Sequence, residues 1–171
     1  IPGFREISIM NIHASAFATD DTKKKHFEEF KSLMDQWDES GIYFVAGGDL
    51  NTLPPGSDST DFCYEDMCEG ESFHQQGDDP QHKPGSDYSG EAAWIQPIFD
   101  KYPCAVPLSR YQANQAAYFT HTTRPTHIWD RTLDYLFTNT RWVTGSDITH
   151  QDAFDLSDHA AVSAEFPLPK E

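Results

Sequence analysis

The stretch that most restricts the fold is "IYFVAGGDLN", residues 42–51. An unbroken apolar run ending in two glycines, an aspartate and an asparagine reads as a strand buried on both faces. Such a strand sits inside a sheet with layers on either side. The preceding segment, "DDTKKKHFEEFKSLMDQWDES", supplies one of those layers. Its Phe27, Phe30, Leu33, Met34 and Trp37 fall on one helical stripe, Asp20 or Asp21 can cap its start, and Gly41 ends it. Upstream, "REISIMNIHAS" alternates, with Ile7, Ile9, Asn11 and His13 on one side and Ser8, Met10 and Ile12 on the other. It is expected to be a strand with polar residues at its C-terminal end.

After residue 52 the periodicity disappears. Residues 52–90 are rich in Pro, Gly, Ser, Asp and Gln and read as a long irregular insertion. "EAAWIQPIFDKY" predicts a short helix broken near Pro97. "AAYFTHTT" and "RTLDYLFTN" predict strands, and "HAAVSAEFPL" predicts the last one. The pattern implies a mixed α/β (α+β) layer with flanking helices. No internal repeat or low-complexity tract interrupts it.

Length and charge bound the function. The 171 residues suit one domain, and 37 % hydrophobic residues suffice for a core. No run is long and apolar enough for a transmembrane segment. Lys and Arg number 12 against 28 Asp and Glu, a net charge of -16 that opposes tight binding of duplex DNA. A bound divalent cation can reverse the field locally, so a phosphate substrate remains compatible. Ile1 stands where a methionine would open a whole protein, and no signal-peptide pattern follows. The chain therefore reads as beginning at a cleaved or designed start; its location is open, with an exported (periplasmic or extracellular) protein favoured only by the local disulfide reading below. Cys63 and Cys68, spaced C-x4-C without a second pair, make a poor zinc signal. They read as a local disulfide or as free thiols.

Polar clusters at the ends of apolar strands are the places to look for chemistry. In "GGDLN", Gly47 and Gly48 allow a turn or a close approach, while Asp49 and Asn51 offer oxygen ligands suited to Mg²⁺. The same residues also serve ordinary turn hydrogen bonding. In "TLDYLF", Asp134 lies within an apolar strand and needs a partner, either a histidine or the backbone and Arg131. In "SDHAAV", Asp158 could ligate a metal and His159 could contact phosphate or move a proton. His13 could add a second imidazole. Trp129 could line a substrate mouth, although packing is its more ordinary use.

Taken in order, N-x-H, G-D-x-N, L-D-Y and S-D-H resemble the motifs of the endonuclease/exonuclease/phosphatase superfamily. The resemblance spans most of the chain apart from residues 52–118. It implies half of a four-layer α/β/β/α sandwich, with a mixed, mostly antiparallel sheet, and a divalent-metal-dependent phosphoesterase. In that reading Asp49 serves the attacking water or the leaving oxygen, and Asn51 holds a phosphate oxygen or a metal. Asp158 ligates metal with Asp49 and Asn51. His159 contacts the scissile phosphate with its ring oriented by Asp134, and His13 is the second phosphate-facing histidine. The oxygen-rich donors imply Mg²⁺ or Mn²⁺ rather than Zn²⁺.

The resemblance also implies a glutamate ligand and an early asparagine, which have no counterpart upstream of residue 7. The expectation is a single partial domain over 1–171, the C-terminal half, weak or inactive by itself. Its exposed sheet face would be covered by the missing N-terminal half or by a second copy. The substrate would be a phosphoester, whether nucleic acid, lipid headgroup or small molecule; the charge favours the latter two. A rival reading rests on Asp58, Asp61, Glu65, Asp66, Glu69, Glu71, Asp78, Asp79 and Asp87, which could make the chain a non-catalytic Ca²⁺-binding module. A pseudoenzyme is disfavoured because every motif residue is intact.

Overall fold

The computed structural model describes Gly3, residues 5–18, 20–57 and 90–122, Arg124, and residues 130–168. Cys63, Cys68, Trp129 and the acidic stretch from Asp58 to Asp87 lie outside the described residues. The main sheet has three strands in the order β1 (Ile7–His13), β2 (Tyr43–Asp49), β3 (Asp134–Thr138). β1 and β2 run parallel, and β2 and β3 run antiparallel. The apolar run is therefore the central strand.

Helix α1 (Thr22–Glu39) makes the parallel crossover from β1 to β2. Asp21 occupies the N-cap position, yet the side chain that accepts the Thr22 N–H is Asp20, at 2.7 Å. Gly41, with φ 69°, closes the other end, and Ile42 N donates to Trp37 O at 2.8 Å. Phe27, Phe30 and Met34 are buried as the spacing predicts, whereas Leu33 is 37 % exposed. Leu33 stands about 120° from Phe27 around the helix, at the margin of the stripe.

Helix α2 (Ala92–Lys101) covers the same sheet face. The predicted break at Pro97 does not occur. Pro97 is exposed on the outer side, while Ile95 and Ile98 are fully buried, and this packing holds the helix through the proline. With Phe44, Ala46, Tyr135 and Phe137 from the sheet and Tyr102 beyond α2, these residues form the core. Asp35 of α1 ties the helices together, accepting from Tyr102 Oη at 2.6 Å and Lys101 Nζ at 2.9 Å. A buried ion pair joins their N-terminal ends: Lys23 Nζ lies 2.6 Å from Glu91 Oε2. Burial pushes the Lys23 ammonium below its usual range, against the pull of Glu91.

Two predicted strands are shorter or different. "AAYFTHTT" begins as a 3-10 turn (Gln115–Tyr118) that follows the short helix α3 (Leu108–Ala113), and it reaches a strand-like pairing only at His121. The last strand is β5 (Val162–Ser163), paired antiparallel with β4 (Ile148–Thr149). The carbonyls and amides around these elements bond across chain segments rather than along a ladder, which cuts the regular strands short. A second 3-10 turn (Gln151–Asp155) leads toward Asp158.

The opposite face of the main sheet carries Ile7, Ile9, Asn11 and His13 from β1, with Val45 and Leu136 beside them. Ile9 is 80 % exposed. Asn11 and His13 are exposed with it, whereas Ile7, Val45 and Leu136 are half-buried, and no described helix is long and apolar enough to cross a membrane.

These packing differences set stabilities. Met34→Ala should cost about 2–5 kcal/mol in urea unfolding, whereas Ile9→Thr should stay within about 0.5 kcal/mol. Lys23→Met, which removes the cation buried against Glu91, should cost about 3–5 kcal/mol, with much of the loss recovered when Glu91→Leu is added.

Candidate active site

The site begins as a row across the sheet. In the strand register His13 pairs with Asp49, and Asp49 pairs with Asp134. Laterally paired residues project to the same face, so one rung presents an imidazole and two carboxylates on adjacent strands. Both glycines before Asp49 make this rung possible. A Cβ at Gly47 would lie 2.0 Å from the Tyr135 carbonyl oxygen, and one at Gly48 would lie 2.1 Å from that of Ile12. Gly48 also has φ 129°, which an L side chain rarely adopts. The glycines serve the approach of neighbouring strands.

Asp49 is the hub. Its Oδ1 accepts the Asn51 backbone N–H at 2.8 Å, the local turn bond expected of an Asp-x-Asn sequence. Its Oδ2 accepts from Asn51 Nδ2 at 3.1 Å and faces His13 Nε2 at 3.4 Å and His159 Nε2 at 3.9 Å. Asn51, with φ 50°, takes the left-handed conformation that asparagine tolerates. Its Nδ2 also donates to Ala14 O at 3.0 Å, which ties the end of β1 to the end of β2. Burial, and next the nearby Asp134 carboxylate, push the Asp49 pKa upward.

The partner that Asp134 requires is a histidine: His159 Nδ1 lies 2.9 Å from Asp134 Oδ2. This bond is the main cause of an elevated His159 pKa, opposed by partial burial. With Nδ1 facing the carboxylate, Nε2 is the edge left for a ligand or for Asp49.

Thr120 and His121, which the motifs did not single out, hold the C-terminal histidine in place. Thr120 is fully buried, and its Oγ1 accepts the N–H groups of Leu133 at 2.9 Å and Asp134 at 3.0 Å. Its carbonyl accepts from Ala160 N at 2.8 Å. One threonine therefore fixes the start of β3 and the loop bearing His159. His121 forms isolated bridges with both Arg131 and His159. The only hint in the sequence was a polar T-H-T inside an apolar segment.

His13, Asp49, Asn51, Asp134 and His159 thus converge on one place. Asp158 is exposed and its ligand oxygen groups with His121 and His159, whereas a separate set comprises Asp49, Asp134 and His159; within each set the ligand atoms lie within 4.8 Å of one another. The second set suits a hard divalent cation, because burial and carboxylate repulsion raise Asp49 in a way that a bound cation would relieve.

Two solved structures align with nearly all of the chain. One is the 3′ phosphatase NExo from Neisseria bound to a product DNA hairpin, at 19 % identity and a TM-score of 0.59. The other is an AP endonuclease from Archaeoglobus fulgidus, at 13 % identity and a TM-score of 0.56. The fold is that of the endonuclease/exonuclease/phosphatase enzymes. The alignments cover 98 % and 95 % of this chain and 62 % of each enzyme, so the chain spans less than two thirds of their length. No protein-family model matches the sequence, and no curated protein matches it either.

The Asp134–His159 bond has a measurable signature. In an NMR titration His159 should lose its proton above the ordinary imidazole value of about 6.5, and Asp134→Asn should bring it back toward or below that value. A folded pKa raised in this way contributes stability that is complete below the unfolded pKa and is lost as pH rises through the folded one. The stability advantage of wild type over Asp134→Asn should therefore be complete below about pH 6.5 and shrink as pH rises through the raised folded value; equal His159 titrations in both proteins would refute the assignment.

Proposed function

We propose that the protein is a divalent-metal-dependent phosphoesterase in which water attacks phosphorus in line. The observation that carries this reading is the convergence of His13, Asp49, Asp134 and His159 on one end of the sheet, with His159 Nε2 3.9 Å from Asp49 Oδ2. Asp49, Asp134 and Asn51 would hold Mg²⁺ or Mn²⁺, which supplies Lewis-acid stabilisation of charge on the phosphoryl oxygens.

The protein's own groups divide the remaining work. Asp49 Oδ2 orients the attacking water and accepts its proton, a task that suits a carboxylate whose pKa is raised. His159, whose charged form the Asp134 hydrogen bond favours, donates from Nε2 to a non-bridging phosphate oxygen as negative charge develops. His13, largely exposed beside Asp49, donates from the opposite side. Asn51 keeps Asp49 in its rotamer through two hydrogen bonds.

The substrate class follows from charge. A net charge of -16 favours a small phosphoester or a lipid headgroup over a long duplex. The similarity to a phosphatase bound to a DNA hairpin keeps nucleic-acid ends within the class. The exposed face around Ile9 is covered, in this reading, by a second sheet from the rest of a longer chain or by a second copy. In the first case the covering sheet would also bring the further carboxylate that the resemblance implies.

Two measurements test this. With Mg²⁺ the chain should hydrolyse bis-p-nitrophenyl phosphate slowly, and Asp49→Asn and His159→Gln should each lower the rate about 10²-fold or more. Hydrolysis that persists in a chelator, or that ignores both substitutions, sinks the assignment, and fast turnover by this chain alone contradicts the need for another carboxylate. By light scattering after size exclusion, the chain should self-associate at micromolar concentration. A well-behaved monomer would argue against pairing of copies across the sheet.

A further inference from the structure

The second cluster, His121, Asp158 and His159, has a donor set unlike the row across the sheet. His121 and His159 are antiparallel bridge partners, so their side chains leave the backbone on the same side. The backbones there are clamped by Thr122 N to Asp158 O at 2.9 Å and Ala160 N to Thr120 O at 2.8 Å. The two imidazoles meet edge to face with centroids 5.0 Å apart. One ligand atom from each imidazole and one carboxylate oxygen of Asp158 lie within 4.8 Å of one another. Short chain movements would close that span onto a single ion.

We propose that His121, Asp158 and His159 form a second cation site, selective for a borderline-soft divalent ion such as Zn²⁺ over Mg²⁺. Two imidazoles and one carboxylate make a three-ligand set with an open fourth position, a pattern that zinc accepts in tetrahedral geometry. Mg²⁺ prefers all-oxygen surroundings and keeps its waters, so the nitrogen donors discriminate against it. His159 is prepared for this role because its Nδ1 faces Asp134 at 2.9 Å, the carboxylate–histidine arrangement that orients metal-ligating imidazoles. Both histidines are half-buried while Asp158 is exposed, which gives the ion a rigid floor and an open entry.

The two sites share His159. Filling the nitrogen-rich site takes Nε2 away from the phosphate and from Asp49. Resting on the phosphoesterase reading, Zn²⁺ is therefore an inhibitor of the Mg²⁺-supported reaction, competing for a side chain rather than for the substrate. The binding site itself stands without that reading.

Calorimetric titration of the whole chain with Zn²⁺ tests the proposal by counting equivalents, since His and Cys elsewhere can bind zinc independently. Wild type should bind one equivalent more than His121→Ala and one more than Asp158→Asn, with far-UV circular dichroism checking each fold. Asp158 is exposed, so its substitution leaves the packing alone. Asp134→Asn should keep the equivalent but weaken it about 10-fold or more, as loss of an orienting partner does. Asp49→Asn should retain it at wild-type affinity. An unchanged count in His121→Ala or Asp158→Asn overturns the site, as does loss of the equivalent in Asp49→Asn alone. If no metal supports hydrolysis yet His121→Ala still loses its equivalent, the zinc site stands and the phosphoesterase reading falls.

Discussion

The structure depends on one close approach. β2 lies between a parallel and an antiparallel neighbour, and at its C-terminal end both must come near enough to bring His13, Asp49 and Asp134 into register. Gly47 and Gly48 permit this, since a side-chain carbon at either would fall 2.0 and 2.1 Å from a neighbouring carbonyl oxygen, far inside van der Waals contact. Without that approach the strands would separate where the polar row forms. The apolar part of the same strand anchors the sheet to the helices, through Phe44 and Ala46. One segment therefore joins the core to the chemistry.

The electrostatics of the row follow from its crowding. Two carboxylates on adjacent strands repel, and burial adds to the effect at Asp49. Two imidazoles compensate in part, and Asp134 keeps its share of the balance by hydrogen bonding to His159. Such a row is poised to accept a cation and an anion together, which is what a metal-bound phosphoester presents.

The helices and the central strand were legible from the sequence because their signals are short-range. Phe27, Phe30 and Met34 repeat at helical spacing, and Gly41 carries its own stop signal. Pro97 was misread because its local preference yields to the burial of Ile95 and Ile98. The segment around Tyr118 was misread as a strand because its bonds run to distant residues, Arg131 and Asp158 among them, and no local period records that. Leu33 shows the limit of stripe reading, since one residue at the margin turns outward.

By itself the sequence determined the motif residues, the α/β layering and the need of Asp134 for a partner. Each follows from side-chain type and spacing along a few neighbouring residues. The resemblance already implied His159 as that partner, and the tertiary structure decided that Thr120 holds both segments. It alone showed that His121 stands beside Asp158 and that Lys23 is buried against Glu91. These contacts join residues far apart in the chain, and their distances come from sheet register and layer packing, which no local pattern encodes.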